Sequence, residues 1–317
     1  MRRVMRAKAL WAAWVVLAAV VMAGCGTGDY RTAPTAPDTG SPASQGTAAS
    51  GQEEGSGPVP RPSHVVIVIE ENHSFDSILG NAAAPYLNSL AAQGAVFTNS
   101  TAVAHPSQPN YLALFSGSTQ GVTDDSCPHT FTSDNLGAQL SAAGQTFAGY
   151  SEGLPEAGYA GCTAGDYARK HSPWTNFPSV PASASMPFSS FPKDYNALPT
   201  VSIVVPNLAN DMHNGSVRAG DTWLRDSIDG YAQWAKSHNS LLVITWDEDD
   251  NHAGNHITTI FAGAQVKPGR YSEPIDHYRV LRTIESAYGL PPLGRAAEAE
   301  PITDVWNPRP TSTRSGS

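Results

Sequence analysis

Four short stretches of the 317-residue sequence carry side chains able to do chemistry. They are Glu70-Glu71-Asn72-His73, His105-Pro106-Ser107-Gln108-Pro109, Asn210-Asp211-Met212-His213 and Asp247-Glu248-Asp249-Asp250. A serine hydroxyl becomes a nucleophile when a base or a cation draws off its proton. Carboxylates gathered at one point repel one another and raise at least one pKa, unless a cation sits among them. Glu71, Asn72, Asp247, Glu248 and the Ser107 hydroxyl form an all-oxygen donor set without a thiolate. Such a set suits one hard divalent ion, Ca²⁺, Mg²⁺ or Mn²⁺, in preference to a structural zinc. A cation on the Ser107 oxygen would lower its pKa and favour the alkoxide. His105, His213 and His256 could then hold a tetrahedral anion and protonate a leaving oxygen.

Regular elements must bring these stretches together. Val65 to Ile69 is an unbroken β-branched run, which suits a strand buried on both faces. Val201–Val205 and Leu241–Trp246 read the same way, and each of the three runs ends in a polar cluster. Ile257–Ala262 is a further strand, preceded by His256, and Thr146–Tyr150 is a shorter one. Helical spacing covers Asn81–Gly94 and the stretch from Gly220 to about His238, and Asp276 suits the N-cap of another helix. Strands alternating with helices give an α/β protein with a mostly parallel central sheet. In such sheets ligands bind beyond the carboxyl ends of the strands, where these clusters fall. Prolines flank Ser107, so it is expected in a rigid loop before a helix starting near Tyr111. A serine there can be a plain N-cap, or a nucleophile for an anion drawn to a helix N-terminus. Arg169, Lys170 and His171 read equally as a solvated basic patch and as a contact for phosphate.

Arg2, Arg3, Arg6 and Lys8 precede an apolar run, the pattern of a secretory signal over residues 1–24. Its Met-Ala-Gly-Cys ending resembles a bacterial lipobox, with Cys25 as the lipidated residue and a membrane anchor. Residues 25–62 are rich in Gly, Ser, Thr, Ala and Pro and are expected to form a disordered linker, as is the tail 307–317. The domain is then residues 63–306, in an extracytoplasmic, lipid-anchored or secreted protein. Cys127 and Cys162 are a disulfide or two buried thiols; outside the cytoplasm the pairing is favoured. In the chain-entropy picture it would contribute about 3–4 kcal/mol. A formal charge of −9 argues against nucleic acid as a partner.

Glu71-Asn72-His73-Ser74-Phe75-Asp76 resembles the opening motif of the bacterial acid phosphatase and non-haemolytic phospholipase C family of the alkaline phosphatase superfamily. Ser107-Gln108-Pro109-Asn110 is similar to that family's nucleophile segment, and Thr245-Trp246-Asp247-Glu248 to its late acidic segment. Lys170-His171-Ser172-Pro173, Asn210 to His213, Asn255-His256-Ile257 and Asp276-His277-Tyr278 have counterparts in order. The resemblance implies an alkaline-phosphatase-like three-layer sandwich that hydrolyses phosphate esters through a phosphoserine on Ser107. It also implies metal ligation by Glu71, Asn72, Ser107, Asp247 and Glu248. His105, His171, His213 and His256 would contact phosphate or leaving group, beside Lys170.

Three functions compete. One is a surface-tethered, acid-phosphatase-like monoesterase for small phosphate esters, which the compact chain favours. Another is a phospholipase C or phosphodiesterase acting on lipid headgroups, with Phe188, Phe191 and Trp174 as an apolar entrance. The third is a non-catalytic ligand-binding lipoprotein on the same fold.

Overall fold

The computed structural model describes residues 57–308. The leader, Cys25, most of the linker and the end of the tail lie outside the described residues. In chain order the strands are β1 (His64–Glu70), β2 (Ala95–Phe97), β3 (Ser100–Thr101), β4 (Phe147–Ser151), β5 (Thr163–Ala164) and β6 (Tyr167–Ala168). They continue as β7 (Ser185–Pro187), β8 (Val201–Val205), β9 (Ser240–Trp246), β10 (Thr259–Gly263), β11 (Gly269–Tyr271) and β12 (Ile275–Asp276). The α-helices are α1 (Phe75–Ile78), α2 (Pro85–Gln93), α3 (Ser107–Ser116), α4 (Leu136–Ala142), α5 (Val217–Ala235) and α6 (His277–Tyr288).

Eight strands form one sheet in the order β11-β2-β10-β9-β1-β8-β4-β7. Five neighbours, β9, β1, β8, β4 and β7, are mutually parallel, so their carboxyl ends share one edge. Strand β10 runs antiparallel to β9, with Thr259 opposite Thr245. Its amino end therefore lies on that same edge, which is why a polar residue precedes this strand where the others are followed by one.

Alternation along β1 explains the unbroken apolar run. Val65, Ile67 and Ile69 join a core with Leu112 of α3, Leu136 of α4 and Leu281 of α6. Val66 and Val68 face the other way, onto Leu87 of α2 and Leu224 and Ile228 of α5. Period-two side chains thus bury both faces, giving three layers. Each of these fully buried aliphatic side chains stabilises the fold by about 1.5–3 kcal/mol. Val59 and Val305 are buried in the first core, so packing reaches nearly to both ends of the described residues.

Element boundaries differ from the sequence reading in instructive ways. Helix α3 begins at Ser107 itself, not in a loop before Tyr111. Pro109 is compatible because first-turn N–H groups have no intrahelical acceptor to lose. Helix α5 begins at Val217, ahead of Gly220, because the Ser216 side chain caps Ala219 N–H. Strand β10 begins at Thr259, since His256 and Ile257 bridge instead to Thr101 and Ser74. Gly94 follows α2 with φ −120°, so its need is space: a Cβ would sit 2.4 Å from the Phe261 carbonyl. Asp276 caps α6 by accepting from Arg279 N–H.

Candidate active site

Strand alternation alone would send Glu70, Glu71 and Asn72 to opposite faces. The chain leaves the strand at Asn72, whose φ of 51° lies in the left-handed region that Asn tolerates. Glu71 N–H donates to Asp211 O (2.8 Å), Asp247 N–H to Glu70 O (2.9 Å) and Asn72 N–H to Asp247 Oδ1 (3.1 Å). The carboxyl ends of β1, β8 and β9 are thereby tied into one patch of backbone.

Ser107 stands over this patch, 1% exposed, in the first turn of α3. Its Oγ lies 3.1 Å from Glu71 Oε2 and 3.3 Å from Glu248 Oε1. One hydroxyl proton can serve only one of those acceptors at a time. The other Glu71 oxygen, Oε1, accepts the Tyr111 hydroxyl. His171 Nε2 lies 3.1 Å from that oxygen but outside hydrogen-bond geometry. Its Nδ1 is 3.6 Å from Asp211 Oδ2. The Tyr111 and His171 rings stack with centroids 4.9 Å apart.

Negative charge is in excess here. Burial, then the charge of Asp211, holds Glu71 well above the usual carboxylate range, although Tyr111, Lys170 and Ser107 oppose it. Burial, then Glu71 and Glu248, does the same to Asp247. Asp211 is pushed up to about 8, mainly by burial, and Glu248 is raised by burial. His171 is lowered by burial, then by Lys170 and His213, which keeps its ring neutral.

These residues fit a divalent cation. Asn72 Oδ1, Asp247 Oδ2, Asp211 Oδ2 and His171 Nε2 are buried without hydrogen-bond partners, and all are ligand-type atoms. Among the described residues, Glu71, His171 and Asp211 offer donor atoms within 4.8 Å of one another and could hold a metal ion. Glu71 belongs both to that group and to the oxygen set with Asn72, Ser107, Asp247 and Glu248.

The remaining candidates divide. His105 contacts Glu248 through Nδ1, and its Nε2 lies 3.4 Å from Asp249 Oδ1. His213 is partly exposed, its ring 6.1 Å from that of His171. Lys170 Nζ pairs with Asp125 Oδ2 at 2.7 Å. His256 is not brought to the cluster: its Nε2 contacts Thr98 O (3.1 Å) and its ring stacks on Phe75. Trp174 is buried in the core, whereas Phe188 and Phe191 are half-buried and pack on each other. Cys127 and Cys162 form a disulfide with Cα atoms 5.9 Å apart. No helix among the described residues is long and apolar enough to cross a membrane.

Sequence reasoning gave no role to Tyr111 and named Asp211 and His277 only within their motifs; Tyr111 and Asp211 touch the centre, and His277 Nε2 lies 2.7 Å from Asp247 O. Asp211 had a signal, an acid just past a buried strand. Tyr111 had none, because a tyrosine among Leu112, Leu114 and Phe115 reads as core.

Comparison with known proteins follows the same lines. The pattern of the Phosphoesterase family matches residues 81–291. Phosphatidylinositol-3-phosphatase of Mycobacterium tuberculosis is 55% identical over 251 residues, covering 78% of this chain and 84% of that protein. A probable acid phosphatase of Kluyveromyces lactis is 30% identical over 252 residues, covering 72% of this chain and 59% of that protein. An alkaline phosphatase superfamily structure from Vibrio parahaemolyticus superposes with a TM-score of 0.54 at 14% identity, covering 78% of this chain and 72% of that one, a likeness of fold. The family pattern spans Ser107, His171, Asp211 and the Asp247-Glu248 pair, while Glu71 and Asn72 precede it. With more than half its length matched and a majority-identical relative over most of both chains, the chain belongs to the phosphoesterase family and is a phosphoric ester hydrolase.

Proposed function

We propose that the chain hydrolyses phosphate monoesters by way of a phosphoserine on Ser107, and that one divalent cation is required. The observation that carries this reading is the Ser107 hydroxyl set between Glu71 and Glu248, each within 3.3 Å. Glu71, Asn72, Ser107, Asp247 and Glu248 would hold the cation, with Ca²⁺, Mg²⁺ or Mn²⁺ suited to their oxygens. When bound, it supplies Lewis-acid stabilisation of charge on the phosphoryl oxygens and lowers the serine pKa.

The chain's own residues do the rest. Ser107 Oγ attacks phosphorus as its proton passes to the nearer carboxylate, and the ester P–O bond breaks. His213, at the partly exposed rim, gives a proton to the departing alkoxide, and Lys170 and His105 orient the phosphoryl oxygens. Water then attacks phosphorus, inorganic phosphate leaves, and the Ser107 hydroxyl is restored. His256 is left out of this scheme because its Nε2 is engaged by Thr98 O.

A more specific substrate is favoured by one observation. The 55% identical relative is named a phosphatidylinositol-3-phosphatase, which supports a monoester on an inositol-lipid headgroup over a soluble sugar phosphate. Phospholipase C action draws less support, since Trp174 is core and forms no entrance. The disulfide and the leader sequence support an extracytoplasmic location, with Cys25 as the lipid anchor.

The test measures phosphate release by the purified chain from p-nitrophenyl phosphate and from vesicles carrying phosphatidylinositol 3-phosphate. Ser107→Ala should abolish both. Equal release by parent and variant would remove Ser107 as the nucleophile; release of a phosphorylated headgroup in place of phosphate would favour the phospholipase reading.

A further inference from the structure

Helix α3 starts at the nucleophile but has no cap of its own. Its N-cap position is Pro106, which offers no side-chain acceptor. The acceptor comes from a distant loop: Asp125 Oδ1 takes the N–H of Gln108, the residue next to Ser107, at 3.0 Å. The second oxygen of the same carboxylate, Oδ2, takes Lys170 Nζ at 2.7 Å. One side chain therefore spans the start of the nucleophile helix and a cation facing the site.

Covalent and hydrogen-bonded ties fix this bridge. The loop bearing Asp125 is joined through Cys127 to Cys162. Arg169 N–H donates to Cys162 O (2.9 Å), and the Arg169 guanidinium donates to Ala160 O (2.6 Å). Lys170 follows immediately in the chain. Its ammonium lies in the field of Glu71 and Asp247 as well as Asp125. Without Asp125, attraction would draw the ammonium toward those acids, into space that cation and phosphate must share.

We propose that Asp125 is a positioning residue, holding Lys170 clear of Glu71 and Asp247 and aimed at a phosphoryl group on Ser107, with the Cys127–Cys162 bond setting the spacing. The inference rests on the phosphate-ester reading of the site given above. Asp125 touches neither substrate nor reacting atoms in this role; it acts through Lys170 and through the helix start.

The experiment measures inorganic phosphate binding by calorimetry in the parent, Asp125→Asn, Lys170→Met and the double variant, with steady-state kinetics on p-nitrophenyl phosphate alongside. Asp125→Asn keeps an oxygen for Gln108 N–H and removes the charge that holds Lys170. It should weaken phosphate binding about five- to tenfold, as expected for loss of an oriented charge-assisted contact. KM should rise in parallel while kcat changes less. Lys170→Met should weaken binding by about tenfold or more. The double variant should be no worse than Lys170→Met alone, because coupled residues are not additive. Cys127→Ser/Cys162→Ser should repeat the Asp125→Asn pattern by a route that leaves the carboxylate in place. Unchanged phosphate affinity in Asp125→Asn, full multiplication of its effect with that of Lys170→Met, or a lower melting temperature with unchanged KM would each overturn the proposal. Phosphate binding needs no turnover. A chain with Asp125-dependent phosphate affinity that hydrolyses no ester would sink the hydrolytic reading and support the positioning role.

Discussion

Tyr111 and His171 stack face to face, 4.9 Å between centroids, and both reach the same oxygen of Glu71. The stack shows why a helix that reads as core carries a hydroxyl. One edge of the Tyr111 ring packs the sheet, and its tip supplies the proton that Glu71 Oε1 accepts.

Tyr111→Phe isolates that proton. The stack survives, the cavity is nearly unchanged, and Glu71 loses a donor that lowers its pKa. Loss of a hydrogen bond to a charged group should cost about 1.5–3 kcal/mol of stability, read from denaturant midpoints. Turnover should fall as well, by about tenfold in kcat/KM, since a shifted Glu71 no longer meets Ser107 squarely. An unchanged kcat/KM would mean that Tyr111 only packs.

Chelation tests the proposed cation and the charge balance it would restore. A chelator should abolish turnover and lower the melting temperature, and Ca²⁺, Mg²⁺ or Mn²⁺ should restore both, because ligand binding to the folded state stabilises it. Asp247→Asn supplies the sign. With a cation present the variant should be less stable than the parent and bind the ion more weakly. Without it, at neutral pH, the variant should be more stable by about 1 kcal/mol, because the raised pKa makes the folded parent take up a proton that its unfolded chain has released, and Asn need not. A loss of stability in both states would count against cation binding at this carboxylate.

Much of the framework was legible in the sequence because strand burial leaves a direct trace. Val201–Val205 emerged with its observed ends, and β1 and β9 differ from the apolar runs by a residue at each end or one end. The convergence of Glu71, Ser107 and Glu248 could be guessed because parallel strands share an edge. Aim was harder to read. His256 lies at that edge, yet its backbone bridges to Thr101 and its ring turns to Thr98 and Phe75. Asp211 meets Glu71 through its backbone oxygen, and Asp125 bridges Gln108 N–H and Lys170 Nζ; no periodicity records such contacts between segments far apart in the chain.

Stability away from the site should depend on pH through Glu285. This carboxyl is buried in α6 with Oε1 on Leu293 N–H, and its pKa is pushed up to about 7, chiefly by burial. A raised carboxylate means that the folded chain holds a proton which the unfolded chain has released. The contribution is therefore fully present below the ordinary glutamate range and is lost as pH rises toward 7. The loss should be on the order of 1–3 kcal/mol. Urea midpoints across that window should fall for the parent and stay flatter for Glu285→Gln. Parallel curves would exclude Glu285 as the titrating group.

Gly149 links packing to the site. It lies mid-strand in β4, where a Cβ would come within 2.1 Å of the Trp174 ring. Trp174 is fully buried just beyond His171 and Ser172, and Ser172 Oγ is bonded to Ser151 Oγ at the end of the same strand. Gly149→Ala must push the indole, and with it the segment that sets His171 against Glu71. Overpacking of this kind should cost about 1–3 kcal/mol. Trp174→Phe frees space at that point and leaves a small cavity of its own. If the ring is what the glycine accommodates, Gly149→Ala with Trp174→Phe will be less destabilised than the sum of the two, and kcat/KM will recover with stability. Strict additivity in denaturation midpoints would mean that the strand needs glycine there for another reason.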